Sequence, residues 1–291
     1  MGISVYEIVT DRIIRQLEQG TIPWRKSWVG VTGWAVSASG RPYSILNQLL
    51  LDSPGYYYTW NQVKKLGGRV RDGEEKNYSI VTSWFEDKRQ KKDRSDSESD
   101  SGKSAKEETH WVFRYYRVYR EDQCEGIPVH DVLPGGNFIT DATADEIIQS
   151  YVDREHIRLE FRKQNQAYYA PGQDMVVLPV REQFSDAASF HSVAFHELTH
   201  STGHQSRLNR FADTDCMFGS EDYSKEELVA EIGAASMLNL LGIETPESFQ
   251  NSAAYINGWL EKLKSDKRFI ISAARQAEKA VAYIRGEQVD Q

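Results

Sequence analysis

The feature that most constrains the fold of this chain is the sequence His-Glu-Leu-Thr-His at residues 196–200. Two histidines four residues apart point the same way on an α-helix, where both imidazoles can bind one metal ion while Glu197 faces the same site. Ser185 and Asp186 can cap the start of such a helix, and Gly203 can end it. The motif therefore predicts a helix that carries a hydrolytic metal centre.

A catalytic zinc ion usually has three protein ligands and an open position for water, so His196 and His200 need a third ligand from elsewhere in the chain. The next predicted helix offers two acids, Glu227 and Glu231, which lie four residues apart and therefore on one face. We expect Glu227 to bind the metal and Glu231 to accept a hydrogen bond from a histidine N–H, since metal-bound histidines normally have such a partner. The reverse assignment, with Glu231 on the metal, stays open. The expected cofactor is one Zn²⁺ per chain, with Mn²⁺ as the alternative.

His204 and His191 are rival third ligands. Eight residues along a helix correspond to a rotation of ~80° and a rise of ~12 Å, so His204 is too far from His196 to share one ion if the helix continues. The longer pattern H-E-x-x-H-x-x-G-x-x-H would place its third histidine at the position of Ser206. An acid on the following helix therefore stays the preferred third ligand.

These residue types suit metal-assisted hydrolysis of a peptide bond. A bound zinc ion lowers the pKa of its water and polarises the scissile carbonyl. Glu197 would take the proton from that water and pass it to the leaving amine. The oxyanion needs a further hydrogen-bond donor, and Tyr223 and Arg207 are the candidates. The motif therefore predicts a peptidase whose catalytic residue is Glu197.

Charge is distributed unevenly along the 291 residues. The net charge is −8, but residues 1–125 hold 20 basic against 18 acidic side chains, whereas residues 126–291 hold 15 against 25. Such a difference predicts two domains with different partners, and the length allows each its own core. The chain has no long apolar run and only two cysteines, Cys124 and Cys216. We therefore expect no membrane span and no export signal, and a cytoplasmic location.

Aromatic and basic residues are interleaved in the first part of the chain, where six of the seven tryptophans lie. Flat rings that stack on bases, next to cations that follow phosphates, are what sequence-independent binding of single-stranded DNA requires. The alternative is that the rings fill the core of a small domain, and for any single ring this is the more common case. The predicted DNA-binding residues are Trp24, Arg25, Lys26, Trp34, Arg41, Tyr43, Asn47, Tyr57, Tyr58, Trp60, Lys64, Lys65 and Arg69.

The pattern of elements predicts an α+β protein of two domains. Residues 1–130 are expected to form a mixed α/β domain, interrupted at 86–109 by a charged insertion that contains no large apolar side chain and should be mobile. Residues 131–291 are expected to form a small sheet, the helix of the H-E-x-x-H motif and the helices after it. The edge strand of that sheet could align a peptide by strand addition.

Eight stretches of this sequence, in order along nearly the whole chain, are similar to one family. They are I-P-W-R-K, G-R-P-Y-S-I-L-N, Y-T-W-N-Q-V-K-K-L-G-G-R-V-R-D-G-E, R-Y-Y-R-V-Y, P-V-R-E-Q-F, H-E-L-T-H-S-T-G-H-Q-S-R-L-N-R, Y-S-K-E-E-L-V-A-E-I-G-A-A and N-S-A-A-Y-I-N-G-W-L. With them the chain resembles the ArdC-type antirestriction proteins. The resemblance implies an N-terminal domain that binds single-stranded DNA, a C-terminal zincin-like metallopeptidase domain, and protection of incoming plasmid or mobile-element DNA from restriction enzymes. The charged insertion is longer than the family pattern needs.

Two classes of function follow from these features. In the first, the chain is a metallopeptidase that single-stranded DNA recruits to an unknown protein substrate, which is itself bound to DNA. In the second, it is a non-proteolytic protein that coats single strands and whose metal site is structural. A regulatory protease that cleaves a repressor is a third alternative.

Overall fold

The computed structural model describes most of the chain, namely residues 3–25, 34–51, 53–86, 111–130, 141–211, 221–243 and 253–288. Apart from Glu86, the predicted mobile insertion at 86–109 lies outside these residues, and so does the predicted DNA-binding residue Lys26.

In the described residues, the N-terminal part combines three helices with a four-stranded sheet. Its helices are α1 (Val5–Glu18), α2 (Ile45–Leu50) and α3 (Trp60–Lys65), and its strands are β1 (Ala35–Ser37), β2 (Gly55–Thr59), β3 (Arg69–Val70), β4 (Ser79–Glu86), β5 (Trp111–Arg120) and β6 (Cys124–Glu125). The sheet has the order β1-β2-β5-β4, and β3 pairs with β6 separately. β1 runs parallel to β2, whereas β2–β5 and β5–β4 are antiparallel. Strand β4 is therefore an edge of the larger sheet.

The C-terminal part packs helices against a three-stranded sheet. Its elements are α4 (Asp141–Glu155), β7 (Arg158–Arg162), β8 (Tyr168–Ala170), β9 (Met175–Pro179), α5 (Ala187–Ser201), α6 (Glu221–Leu241), α7 (Ala253–Ser265) and α8 (Phe269–Ile284). The central strand β9 is buried along its whole length, which explains its unbroken apolar sequence. It pairs with β7 in parallel and with β8 in antiparallel orientation, so β8 is an edge strand.

The two parts share the largest hydrophobic cluster of the described residues. Val9 and Ile13 of α1 belong to the same buried cluster as Leu263 of α7 and Ile270 of α8. Helix α1 packs against α7, and α2 packs against α8. The predicted α+β fold with an N-terminal and a zincin-like domain is confirmed. Two smaller buried clusters, one around Tyr58 and one around Tyr57, belong to the N-terminal part alone. The apolar faces of α1 and α2 lie against the C-terminal helices and bury surface that neither part could bury alone.

In the described part of the chain, no helix is both long and apolar enough to cross a bilayer.

Candidate metal centre and aromatic groove

Helix α5 carries the H-E-x-x-H motif, and its ends follow from the local sequence. Asp186 is the N-cap, and its carboxylate accepts a hydrogen bond from the Ser189 N–H at 2.7 Å. The backbone turns away after Thr202, and a side chain at Gly203 would collide with Phe211, because a Cβ atom there would lie 2.6 Å from the phenylalanine ring. The helix therefore begins at its predicted cap and ends at Ser201, one residue after the motif and two residues before the predicted end at Gly203.

A close approach between α5 and α6 brings the third acid to the histidines. A Cβ atom at Gly233 of α6 would lie 2.7 Å from the Thr199 side chain on α5, so only glycine allows this separation. The contact positions the first part of α6, with Glu227, opposite the motif.

His196, His200 and Glu227 converge on one point. Their potential ligand atoms all lie within 4.8 Å of one another, and in the described part of the chain no other group of three such side chains does so. The two Nε2 atoms are 3.2 Å apart, and each lies 3.6 Å from an oxygen of Glu227. Two imidazole nitrogens and one carboxylate form the donor set of a catalytic zinc site. These residues therefore fit a divalent metal ion with an open position.

Glu226, which was not predicted from the sequence, is the acid that orients a histidine. Its Oε1 lies 3.2 Å from Nδ1 of His200, which leaves Nε2 of that ring facing the centre. Arg210 holds the same carboxylate with two hydrogen bonds of 2.9 and 2.7 Å. Burial raises the pKa of Glu226, but the hydrogen bonds from Arg210 and His200 lower it by more, so the pKa lies below its ordinary value.

The predicted histidine partner Glu231 has a different role, which corrects that assignment. Its carboxylate accepts hydrogen bonds from the Trp24 indole at 3.0 Å and from the Tyr255 hydroxyl, and Arg25 lies 3.4 Å away. Glu231 sits one helical turn beyond Glu227, where α6 faces the N-terminal part of the chain. It therefore joins the two parts and does not contact His200.

Glu197 lies on the same helix as the two histidines but does not belong to the converging group. Its side chain is 8% exposed and accepts a hydrogen bond from the Tyr169 backbone N–H on β8. Burial raises the pKa of Glu197 above its ordinary value. Burial also raises the pKa of Glu227, but the hydrogen bond with His196 and the charges of both histidines lower it to about 2. The pKa values of Glu197 and Glu227 are therefore shifted in opposite directions.

The two oxyanion candidates differ in their surroundings. Tyr223 lies at the centre, with its hydroxyl bonded to Glu227, and burial raises its pKa to about 12. Arg207 is 1% exposed and is bound to Asp174 and to the Ser201 carbonyl, 2.8 Å away. Because its guanidinium is already occupied inside the protein, the suggestion that Arg207 contacts the oxyanion is wrong.

The rival histidines are bound elsewhere. Nδ1 of His204 lies 2.8 Å from the Ser206 hydroxyl, and Nε2 of the buried His191 lies 2.9 Å from Asp145. Neither belongs to the converging group.

Four of the predicted DNA-binding residues are buried. Trp24 is 2% exposed and lies edge-on to Trp259, with ring centroids 5.9 Å apart. Tyr57 and Tyr58 are core residues, and the Asn47 amide is bonded to the Thr82 backbone at 3.0 and 2.7 Å. These side chains have no free ring face or amide for a base, so their assignment to DNA contacts is wrong for this conformation. Arg25 likewise lies over the Tyr255 ring, 4.3 Å from its centroid, in the contact between the two parts.

The remaining predicted residues divide between two surfaces. Arg41 and Tyr43 line a groove of about 730 Å³, while Trp34 is partly buried. The second surface lies on or near α3, where the exposed residues are Trp60, Lys64, Lys65 and Arg69. The Lys64 ammonium lies 5.6 Å from the Trp60 ring centroid, and Arg69 forms an ion pair with Glu125. The groove is also lined by Trp84, Trp111 and Tyr116, which were not predicted as DNA-binding residues. Their position in two strands rich in aromatic and β-branched residues was the available signal.

Two family descriptions match the chain. Residues 3–119 match the N-terminal domain of the anti-restriction factor ArdC, and residues 145–276 match a zincin-like metallopeptidase. The sequence predicts the boundary between the two domains between residues 130 and 131, and this boundary stays a prediction.

Curated relatives and solved structures agree with these matches. A DNA primase TraC of Escherichia coli is 32% identical over 96% of this chain, which spans only 27% of that primase. The uncharacterized protein y4eC of Sinorhizobium fredii is 30% identical, with 99% of this chain and 93% of y4eC covered.

Two crystal structures of the antirestriction protein ArdC from plasmid R388 are similar over almost the full length. The metal-free structure has a TM-score of 0.72 at 30% identity and covers 99% of this chain and 100% of that one. The Mn(II)-bound structure has a TM-score of 0.75 at 31% identity, with 98% of each chain covered. By sequence and by fold, this chain belongs to the family of ArdC-type antirestriction proteins.

Proposed function

We propose that this chain binds single-stranded DNA without sequence specificity and carries a metal-dependent peptidase site, and that it thereby protects incoming plasmid or mobile-element DNA from restriction. The observation that carries the proposal is the convergence of His196, His200 and Glu227 beside the buried Glu197. A structural zinc site is normally closed by four protein ligands, whereas three ligands and a separate acid are typical of a hydrolytic one. The enzyme is therefore favoured over the coating protein.

The ligands would be the two Nε2 atoms and the carboxylate of Glu227. A bound zinc ion lowers the pKa of its water towards neutrality and polarises a carbonyl. Imidazole suits zinc, while the carboxylate is also compatible with manganese. The R388 relative is described with Mn(II), so we propose Zn²⁺ as the resident ion and Mn²⁺ as the alternative.

The residues of this chain would supply the proton transfers and align the substrate. Glu197 accepts the proton of the attacking water at its carboxylate and donates it to the amine that leaves. Its raised pKa brings it closer to neutral pH, where such transfer is most efficient. The Tyr169 N–H of edge strand β8 donates a hydrogen bond to Glu197, so β8 lies next to the proposed base. A peptide that pairs with the edge of β8 would therefore place its backbone near Glu197.

Two features support the DNA-binding part of the proposal. The N-terminal residues match the ArdC domain, and exposed aromatic rings accompany basic side chains on this part of the surface. Stacking and phosphate contacts of this kind tolerate any sequence. A domain that holds DNA would raise the local concentration of the peptidase site near proteins on the same strand. We place this activity in the cytoplasm, where incoming DNA meets restriction enzymes.

The substitution Glu197→Gln tests the peptidase part, because it keeps the size of the side chain and an acceptor for the Tyr169 N–H but removes the base. We expect the variant to bind metal and single-stranded DNA as the wild type does and to lose protection of a conjugating plasmid that carries restriction sites. Glu182→Gln is the matched control, since Glu182 is exposed on the segment before α5. Plasmid transfer into restricting and non-restricting recipients is the measurement.

Full protection by Glu197→Gln would contradict the peptidase part and support the protein that coats single strands. If the chain is instead a protease that cleaves a repressor, substitution of the exposed aromatic and basic residues should leave its proteolytic activity unchanged.

A further inference from the structure

The groove of about 730 Å³ lies between the four-stranded sheet and helix α8. Its walls come from both parts of the chain: Arg41 and Trp84 belong to the N-terminal part, whereas Ile271, Arg275 and Glu278 belong to α8. The volume is that of a ligand-binding cleft and not of a packing defect.

The groove runs over the edge strand β4. In the β4–β5 register, Trp84 pairs with Phe113 and Val81 pairs with Tyr116. Because side chains alternate between faces, Trp84 projects from one face of the sheet and Tyr116 from the other. At Thr82 the side chain of Asn47 binds both backbone groups of this edge, at 2.7 and 3.0 Å, so α2 covers the edge at this point.

Three rings of the groove are exposed to an unusual degree for side chains of their size. Trp111 is 61% exposed, Trp84 is 39% and Tyr116 is 37%. Trp84 lies beside its cross-strand partner Phe113, with ring centroids 4.7 Å apart. Exposed apolar surface that is concentrated in one cleft marks a binding site.

Two cations face the groove from opposite parts of the chain. Arg41 lies in the segment before α2, and Arg275 lies on α8; both are exposed. Within the described residues, neither guanidinium forms an ion pair or a side-chain hydrogen bond. The acid of the groove, Glu278, accepts a hydrogen bond from the Ile45 backbone N–H at the start of α2. Among the described residues, Arg41 and Arg275 are thus the groove cations that can bind an anionic ligand.

From these rings and cations we infer that the groove is a composite binding site for single-stranded DNA, in which bases stack on Trp111 and Trp84 while Arg41 and Arg275 bind phosphates. This inference rests on the proposed function and adds that the peptidase domain supplies part of the DNA site. Unpaired bases offer free faces to such rings, whereas a duplex stacks its bases on one another. Helix α8 also packs against α6, the helix that carries Glu227. A DNA strand bound in the groove would therefore contact α8, a helix that supports the metal centre.

The test is fluorescence anisotropy of the full-length chain with labelled oligothymidylate and with a duplex of equal length, over a salt series. We expect Trp111→Ala to weaken binding of the single strand about 5- to 150-fold, the range for loss of one base-stacking ring. Arg275→Ala should weaken binding and reduce the slope of log affinity against log salt by about one.

Two matched controls stand outside the groove. Phe161→Ala removes a ring of β7 that is 49% exposed, and Arg285→Ala removes a cation at the end of the same helix as Arg275. Both should bind within about twofold of the wild type, whereas Trp60→Ala tests the rival DNA surface on α3. The substituted side chains are exposed, so thermal unfolding should be unchanged in all of these variants.

Wild-type affinity in both Trp111→Ala and Arg275→Ala would overturn the composite site while leaving the proposed function intact. Loss of binding in Trp60→Ala with none in Trp111→Ala would also overturn it and would move the DNA surface to α3. Failure of the wild type to bind the single strand would overturn both this inference and the DNA-binding part of the proposed function.

Discussion

Replacing Trp24 by phenylalanine tests whether this ring is a structural contact or a platform for DNA bases. The indole N–H donates to Glu231 at 3.0 Å, and the ring is 2% exposed against Trp259. Phenylalanine keeps most of the apolar surface but lacks the donor. The substitution therefore acts on the contact between the two parts of the chain.

The expected loss of stability has two contributions. A hydrogen bond to a charged acceptor is worth about 1.5–3 kcal/mol. The smaller ring leaves unfilled volume in a buried site, which adds about 1 kcal/mol, a fraction of the cost of removing the whole ring. Together we expect the free energy of unfolding to fall by about 2–4 kcal/mol, which for a chain of 291 residues lowers Tm by about 3–7 °C.

Urea denaturation followed by far-ultraviolet circular dichroism measures this change, with Trp60→Phe as the control. Trp60 is 39% exposed, so its replacement should change the free energy of unfolding by less than about 0.5 kcal/mol. Under native conditions Trp24→Phe should bind single-stranded DNA like the wild type. Unchanged stability together with clearly weaker DNA binding would refute the structural role and restore Trp24 as a stacking residue.

Three further substitutions probe the supports of the metal centre. Glu226→Gln should weaken metal affinity about 10- to 100-fold in chelator competition, because it removes the charged acceptor that orients a ligand histidine; unchanged affinity would contradict that role. Gly233→Ala should lower the free energy of unfolding in urea by about 1–3 kcal/mol, because its methyl group would lie 2.7 Å from a side chain of α5. The control is Gly258→Ala on α7, where a methyl group has open space and should not destabilise the fold. Asp174→Asn should lower the free energy of unfolding at neutral pH by about 1–3 kcal/mol. Burial raises the pKa of Asp174, but hydrogen bonds led by that from Arg207 lower it by more, so this stabilisation is present above about pH 4 and is lost as pH falls through the lowered pKa. A difference between wild type and Asp174→Asn that did not shrink in acid would contradict this.

Much of the candidate site was predictable because its determinants are local. The motif at 196–200, the cap at Asp186 and the paired acids of the next helix can be read from spacing alone, and the structure brings His196, His200 and Glu227 together. Their role as ligands stays a prediction. The strands Ser79–Glu86 and Trp111–Arg120 were likewise visible as runs of β-branched and aromatic residues.

The contacts that could not be predicted from the sequence depend on how the helices pack against one another. Glu226 and Glu231 are equally plausible partners for a histidine on a single helix, and only the position of α6 against α5 decides that Glu226 reaches His200. Likewise, Trp24 and Trp111 have similar basic or aromatic neighbours in the sequence. Long-range packing on α6 and α7 buries Trp24, whereas Trp111 stays exposed.

Metal binding by two matched variants tests the central claim most directly. Calorimetric titration of Zn²⁺ and Mn²⁺ into the metal-free wild type should give one ion per chain. Glu227→Gln should weaken binding about a hundredfold or more, which corresponds to about 2.8 kcal/mol for one lost ligand, whereas Glu231→Gln should stay within about tenfold of the wild type. Loss of metal in Glu231→Gln with retention in Glu227→Gln would contradict the assignment of the centre.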